Sequence, residues 1–163
     1  MNRSKVFILA FTALVLAVIL GFSYVLHQIE SFPFRCMTFT RYDLSRKEGE
    51  VTEFAVTQGL RFESKHSGYL LLNGQLVSGS ETMIINRRIV LSQGEKIDYN
   101  TYRYAISNIA IAANDTTPDN FFNILLAEMT LGPSYLQLNV DKVDDHSYLI
   151  SGPLAYLFTC HHY

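Results

Sequence analysis

The two cysteines, Cys36 and Cys160, offer the clearest chemistry in this sequence, because they are its only thiol groups. In an oxidising compartment outside the cytoplasm they are expected to pair as a disulfide. The bridge would close most of the chain into one loop, and chain-entropy arithmetic assigns such a loop about 5 kcal/mol of stabilisation. Two free thiols, or a link between two molecules, are the alternatives.

Histidines adjoin the second cysteine. His161 and His162 follow Cys160 directly, and His146 lies in a turn that enters a late strand. A Cys-His nucleophile would need both groups on one face, but adjacent residues of an extended chain point to opposite faces. A metal site would need ligands from elsewhere in the chain. Because histidine titrates near neutral pH, His146, His161 and His162 are candidate acidity sensors, with ordinary exposed histidines as the alternative.

The sequence lacks the motifs of nucleotide binding and acyl-transfer catalysis. Residues 68–74 have no Lys-Ser/Thr of a phosphate-binding loop, and no Gly-x-Ser-x-Gly elbow occurs. Asp144 and Asp145 fall in an expected solvated turn, and Arg87-Arg88 is expected to form a surface salt bridge. We therefore expect a protein that is not an enzyme and uses no cofactor or metal. The net charge of −2 argues against direct nucleic-acid binding.

An uncharged apolar segment, residues 6–26, is long enough to cross a bilayer core as a helix of about 30 Å. Arg3 and Lys5 precede it, and the positive-inside rule places the N-terminus in the cytoplasm and the rest in the periplasm. The expected organisation is a cytoplasmic tip at 1–5, a transmembrane helix at 6–26, a linker at 27–34 and a periplasmic β domain at 35–163. A cleaved signal peptide is the alternative, but its apolar core is usually only about 7–15 residues long.

Three small residues within this segment recur at every fourth position: Ala13, Ala17 and Gly21. They share one face of a helix, where small side chains let a second membrane helix approach closely. Beyond the segment lie all 15 acidic residues and all but two of the 13 basic residues. The exported region is thus acidic overall, and we expect it not to attach to anionic lipid headgroups.

Alternating apolar residues and turn signals after residue 35 predict an antiparallel β domain of seven to nine strands. Turns are expected at Gly49, at Gly94 and at Gly152-Pro153. Asn73-Gly74 is either a tight hairpin turn or a bulge within one long strand. The run 96–113 holds either two strands or one strongly bent strand.

The apolar period changes to that of a helix over residues 118–129. Thr117 is expected to cap this helix, with Pro118 at its first position and Asp119 at the positive end of its dipole. The predicted fold is mainly β: an antiparallel barrel or half-barrel, lipocalin-like, with one amphipathic helix over a mouth and a single N-terminal transmembrane helix before it. A half-barrel would leave edge strands for a partner domain to cover.

Several short motifs accompany this layout: Phe-Arg-Cys at 34–36, Gly-Tyr-Leu-Leu-Leu-Asn-Gly at 68–74, Asn-Arg-Arg-Ile at 86–89, Leu-Ile-Ser-Gly-Pro at 149–153 and Phe-Thr-Cys at 158–160. With the basic tip and the single span, the chain resembles the small FidL-like inner-membrane proteins of enteric bacteria. It is also similar in size and layout to the ToxS and VtrC families, and most of all to the PsaF and MyfF accessory proteins of Yersinia fimbrial operons.

The resemblance implies an accessory regulator. Its partner would be a membrane-bound activator with a cytoplasmic winged-helix domain, one membrane span and a periplasmic domain. The accessory protein would bind and stabilise that domain and help it respond to acidity, temperature or small amphipathic ligands. It would thereby control fimbrial and virulence genes. In ToxS- and VtrC-like cases the joint fold resembles a lipocalin-type barrel that can accept bile-salt-like ligands.

The aromatic content supports a second hypothesis. The 10 tyrosines and 11 phenylalanines, many of them alternating along strands, could line a barrel that binds a small lipophilic molecule. The protein would then be a stand-alone, membrane-anchored, lipocalin-like binding module. Alternatively, the same side chains fill a dry core.

Overall fold

The computed structural model describes residues 3–27, 33–44, 52–130, 132, 134–153 and 156–163. The chain divides into two compact units, Met1–Ser31 and Phe32–Tyr163. Most of the predicted linker and the turn expected at Gly49 lie outside the described residues.

The first unit contains one helix, α1 (Arg3–His27). Its side chains are described over residues 11–23 and are all exposed. Ala13, Ala17 and Gly21 are among them, and apart from the backbone of its own helix no described atom lies within 4 Å of a Cβ added at Gly21. Across the described residues, no helix has the length and apolarity needed to cross a membrane.

The second unit is a closed antiparallel barrel whose eight strands pair in sequence order. Because β1 pairs with β8, the barrel is confirmed and the half-barrel alternative is wrong. The elements are β1 (Phe34–Asp43), β2 (Thr52–Ser64), β3 (Ser67–Ser78), β4 (Glu81–Lys96), β5 (Thr101–Ile111), α2 (Asp119–Met129), β6 (Tyr135–Lys142), β7 (Ser147–Ser151) and β8 (Tyr156–His162).

The predicted turn at Gly94 is wrong, because β4 continues through it to Lys96. Gln93 has a positive φ of 52°, and the pairing with β5 shifts between Ser92 and Glu95. Gly94 instead donates its N–H to the carbonyl of His66 at 3.0 Å. The glycine therefore forms a bulge inside a long strand rather than a hairpin.

The run 96–113 contains one strand, β5, with a shift in its pairing to β4 next to Ser107. The Asn73-Gly74 pair lies within β3, which pairs without a shift along β4. Neither a hairpin nor a bulge forms there, because strand pairing on both sides outweighs the local turn preference.

Helix α2 begins at Asp119, one residue later than predicted, and Pro118 precedes it without a side-chain cap. The capping role predicted for Thr117 is wrong, since its hydroxyl donates to the carbonyl of Ile84 at 2.9 Å. The buried face of α2 joins the barrel core: Phe122, Leu125, Leu126 and Met129. The helix therefore covers the end of the barrel where β5 stops and β6 starts.

Aromatic side chains pack at the opposite end of the barrel. The Phe34 and Tyr148 ring centroids lie 4.9 Å apart in an edge-on arrangement, and Phe62 stacks on Tyr104 at 4.7 Å. Such pairs add about 0.5–1.5 kcal/mol beyond the area they bury. They pack near the end at which β1 starts and β8 finishes.

Gly74 is expected to be intolerant of any side chain. A Cβ there would lie 2.1 Å from the carbonyl oxygen of Ala55 and 2.8 Å from the Cα of Val56. Gly74→Ala should therefore lower the free energy of unfolding by about 1–3 kcal/mol, because β2 and β3 must separate. Gly59→Ala is the matched control, since its Cβ approaches Leu71 no closer than 3.7 Å. Urea unfolding distinguishes them, and equal midpoints would contradict the expectation.

Candidate functional site

The barrel closes through a short contact between its first and last strands. β1 pairs with β2 along its whole length, from Phe34 to Asp43. On its other side it pairs with β8 only at Cys36↔His162 and Met37↔His161 among the described residues. We call residues 36–42 of β1, together with β8, the seam.

The predicted disulfide is confirmed and lies inside the seam. Cys36 and Cys160 are bonded across a sequence separation of 124, with their Cα atoms 5.4 Å apart, and both are fully buried. Their sulfurs are therefore engaged with each other, and the Cys-His nucleophile alternative is wrong. The covalent bond holds β1 to β8 where few backbone hydrogen bonds do so.

The fold brings the three candidate histidines together at one end of the seam. His162 donates its backbone N–H to the carbonyl of His146 at 2.8 Å. The Nδ1 atom of His161 lies 3.3 Å from the hydroxyl of Ser147. The His162 ring centroid is 6.0 Å from that of Phe34. All three histidines are exposed, and their role in sensing acidity stays a prediction.

Beyond Met37, residues 38–42 of β1 have no strand partner on the β8 side in the described part of the chain. Two apolar side chains on the outer face of this strand are exposed, Met37 by 47% and Phe39 by 63%. The inward side chains of residues 38, 40 and 42 are only half-buried, whereas those of β2 are buried along most of the strand. Within the seam, residues 38–42 therefore form a strand edge whose inward side chains are partly exposed.

A polar pair lies behind this edge. Gln58 is fully buried, and its Nε2 donates to the Tyr42 hydroxyl at 2.5 Å. Burial raises the pKa of Tyr42, although the hydrogen bond from Gln58 acts in the opposite direction. The Gln58 Oε1 atom is buried without a hydrogen-bond partner, which typically costs about 1–3 kcal/mol. Sequence reasoning missed Gln58, although it shares the alternation of Phe54 and Val56.

The expectation that Arg87 forms a salt bridge at the surface is wrong, because Arg87 is buried inside the barrel. Its Nε lies 3.1 Å from Asp115 Oδ2, and its Nη1 lies 2.7 Å from Asp119 Oδ1. It also donates to the Thr117 carbonyl, and its Cζ lies 4.4 Å from the Phe122 ring centroid. The Arg87 guanidinium thus links β4 to residues 115–119, which lead into α2. By contrast, Asp144 and Asp145 are exposed in the predicted turn.

These features define a class of protein: a disulfide-closed, eight-stranded antiparallel barrel with one mouth covered by a helix. The chain belongs to the family of FidL-like putative membrane proteins, whose family model matches residues 74–160. The match runs from the middle of β3 to Cys160 and includes Arg87, Asp115 and α2. No curated protein matches the chain.

Proposed function

We propose that this chain is a non-enzymatic accessory protein of the bacterial inner membrane. A single N-terminal span would anchor it, with the N-terminus in the cytoplasm and the barrel in the periplasm. The barrel would bind and stabilise a single-span, winged-helix transcription activator. The complex would respond to acidity, temperature or small amphipathic ligands and control fimbrial and virulence genes.

The membrane location is supported by the family description and by the absence of charge over residues 6–26. The disulfide is typical of an oxidising compartment such as the periplasm. These observations favour a barrel that meets its partners outside the cytoplasm.

The proposal that the barrel binds a partner rests on the strand edge at the seam. An exposed edge can pair with a strand of another chain, with the main chain supplying hydrogen bonds and side chains supplying specificity. Met37 and Phe39 present apolar surface beside that edge. The occupant we propose is a strand from the periplasmic domain of the activator. The barrel is already closed at Cys36, where β1 meets β8. The activator's strand would therefore pair with residues 38–42 of β1, past the disulfide.

A charged side chain at position 39 is expected to block this association. Phe39→Lys should weaken binding of the activator's periplasmic domain at least tenfold, because a lysine on a strand edge opposes strand addition. The full chain in neutral detergent would be titrated with the periplasmic domain of a neighbouring winged-helix membrane regulator. Val143→Lys is the matched control, since Val143 is 62% exposed and lies outside the seam.

Equal affinity for both variants, or no complex with the wild-type chain, would contradict the proposal. The alternative function is a stand-alone module for a small lipophilic molecule, in which a hydroxyl group such as that of a bile salt would donate to the unpartnered Gln58 Oε1. It predicts that bile salts or fatty acids raise the melting temperature without any regulator. That result together with no regulator binding would favour the alternative.

A further inference from the structure

Three arginines lie together on the outer surface of the barrel. Arg35 of β1 is directly opposite Arg61 of β2, and Arg61 is opposite Tyr69 of β3. Arg88 of β4 is opposite Leu71, the next outward residue of β3 after Tyr69. Like charges in directly opposite positions destabilise a pair of strands. Arg35 and Arg61 are therefore placed where their charges repel each other.

Tyr69 positions two of the three guanidinium groups. Arg61 Nη1 donates to the Tyr69 hydroxyl at 3.1 Å, and its Cζ is 5.8 Å from the ring centroid. The Cζ of Arg88 is 5.0 Å from the same ring centroid. Both charges are held beside one aromatic ring, where cation–π attraction reduces their side-chain freedom.

These three arginines differ from the other described arginines of the barrel because they have no carboxylate partner among the residues that the structure describes. The others form ion pairs: Arg41 with Glu53, Arg87 with Asp115 and Asp119, and Arg103 with Glu95. No ion pair within the described part of the chain involves Arg35, Arg61 or Arg88. The Nε atoms of Arg35 and Arg61 are also buried without a hydrogen-bond partner. The cluster therefore carries positive charge that no described carboxylate neutralises.

We propose that Arg35, Arg61 and Arg88 bind a phosphate group. A carboxylate has only two oxygens, which one guanidinium fork can occupy, whereas phosphate offers three or four oxygens to several forks. The phosphate could belong to a lipid headgroup or to a small soluble molecule. The acidic net charge of the chain does not oppose this site, because interactions beyond about 8 Å are largely screened at physiological salt.

The full chain in neutral detergent would be titrated at constant ionic strength with inorganic phosphate and, separately, with dihexanoyl phosphatidylglycerol. We expect saturable binding that weakens at least tenfold in Arg61→Gln and is unchanged in Arg103→Gln. Arg103 is the matched control, because it is an exposed arginine with a carboxylate partner. Arg88→Gln serves as a second variant if the melting temperature shows that Arg61→Gln is misfolded.

Binding of inorganic phosphate would support the proposed site and would show that free phosphate is enough to occupy it. Arginine-dependent binding of the lipid alone would support it with a headgroup as the source. The proposal is overturned if neither probe saturates or if all variants respond equally. It is also overturned if polyglutamate alone binds in an Arg61-dependent manner, since the cluster would then recognise an acidic protein. None of these outcomes depends on the proposed activator.

Discussion

Removal of the disulfide is expected to lower the free energy of unfolding by about 5 kcal/mol. Cys36 and Cys160 are separated by 124 residues, and a loop of this length restricts the unfolded chain strongly in the chain-entropy model. Domains of this size are typically stable by about 5–15 kcal/mol. The effect is therefore a large share of the whole stability.

Urea unfolding of the full chain would compare the wild type with Cys36→Ala/Cys160→Ala, each with and without reductant. Alanine avoids leaving a buried hydroxyl where both sulfurs are now fully buried. Reductant should lower the wild-type midpoint to near that of the double variant and leave the double variant unchanged. A loss below about 1 kcal/mol would contradict the chain-entropy argument.

The second large effect is expected at the buried ion pair. Asp115→Asn should lower the free energy of unfolding by about 3–5 kcal/mol, because it leaves the Arg87 charge buried with a weakened set of partners. The remaining carboxylate, Asp119, is mostly exposed. Glu95→Gln is the matched control, since Glu95 and Arg103 form an exposed pair worth about 0–1 kcal/mol. Urea unfolding at pH 7 measures both variants.

The same ion pair should make stability fall in acid. Burial tends to raise the pKa of Asp115, but hydrogen bonds from Arg87 and from the Asn86 amide more than offset it, so the pKa is lowered. This contribution is fully present above the unfolded pKa of about 3.9 and is lost as pH falls through the lower folded value. The difference between wild type and Asp115→Asn should thus be constant near neutrality and shrink below about pH 4. A difference independent of pH down to full acid unfolding would contradict this assignment.

Much of the fold could be predicted from the sequence because its signals are local. Alternation along strands predicted an antiparallel β domain, and the change to helical periodicity predicted α2 within one residue of its start. The local turn signals were less reliable. Gly94 became a bulge and Asn73-Gly74 remained in a regular strand, because pairing with neighbouring strands outweighs a two-residue preference.

The candidate site was predictable only in part. Two cysteines near opposite ends of the region after the apolar segment were enough to predict the disulfide, since a chain with one pair has a single intramolecular pairing. Nothing in the sequence showed that the bond spans a short seam. Strand closure depends on how β1 and β8 meet, and their contact is set by the tilt and register of all eight strands.

Local patterns in the sequence were enough to predict the β character of the domain, the disulfide pairing, the position of α2 and the uncharged N-terminal segment. The folded barrel was needed to show that β1 meets β8, that Arg87 is buried, and that Arg35, Arg61 and Arg88 share one outer face. Period-two alternation predicts which residues of a strand share a face, whereas the register between distant strands sets which charges become neighbours. The sequence alone does not distinguish an arginine that lies inside a barrel beside two carboxylates from one that lies outside it beside two other arginines.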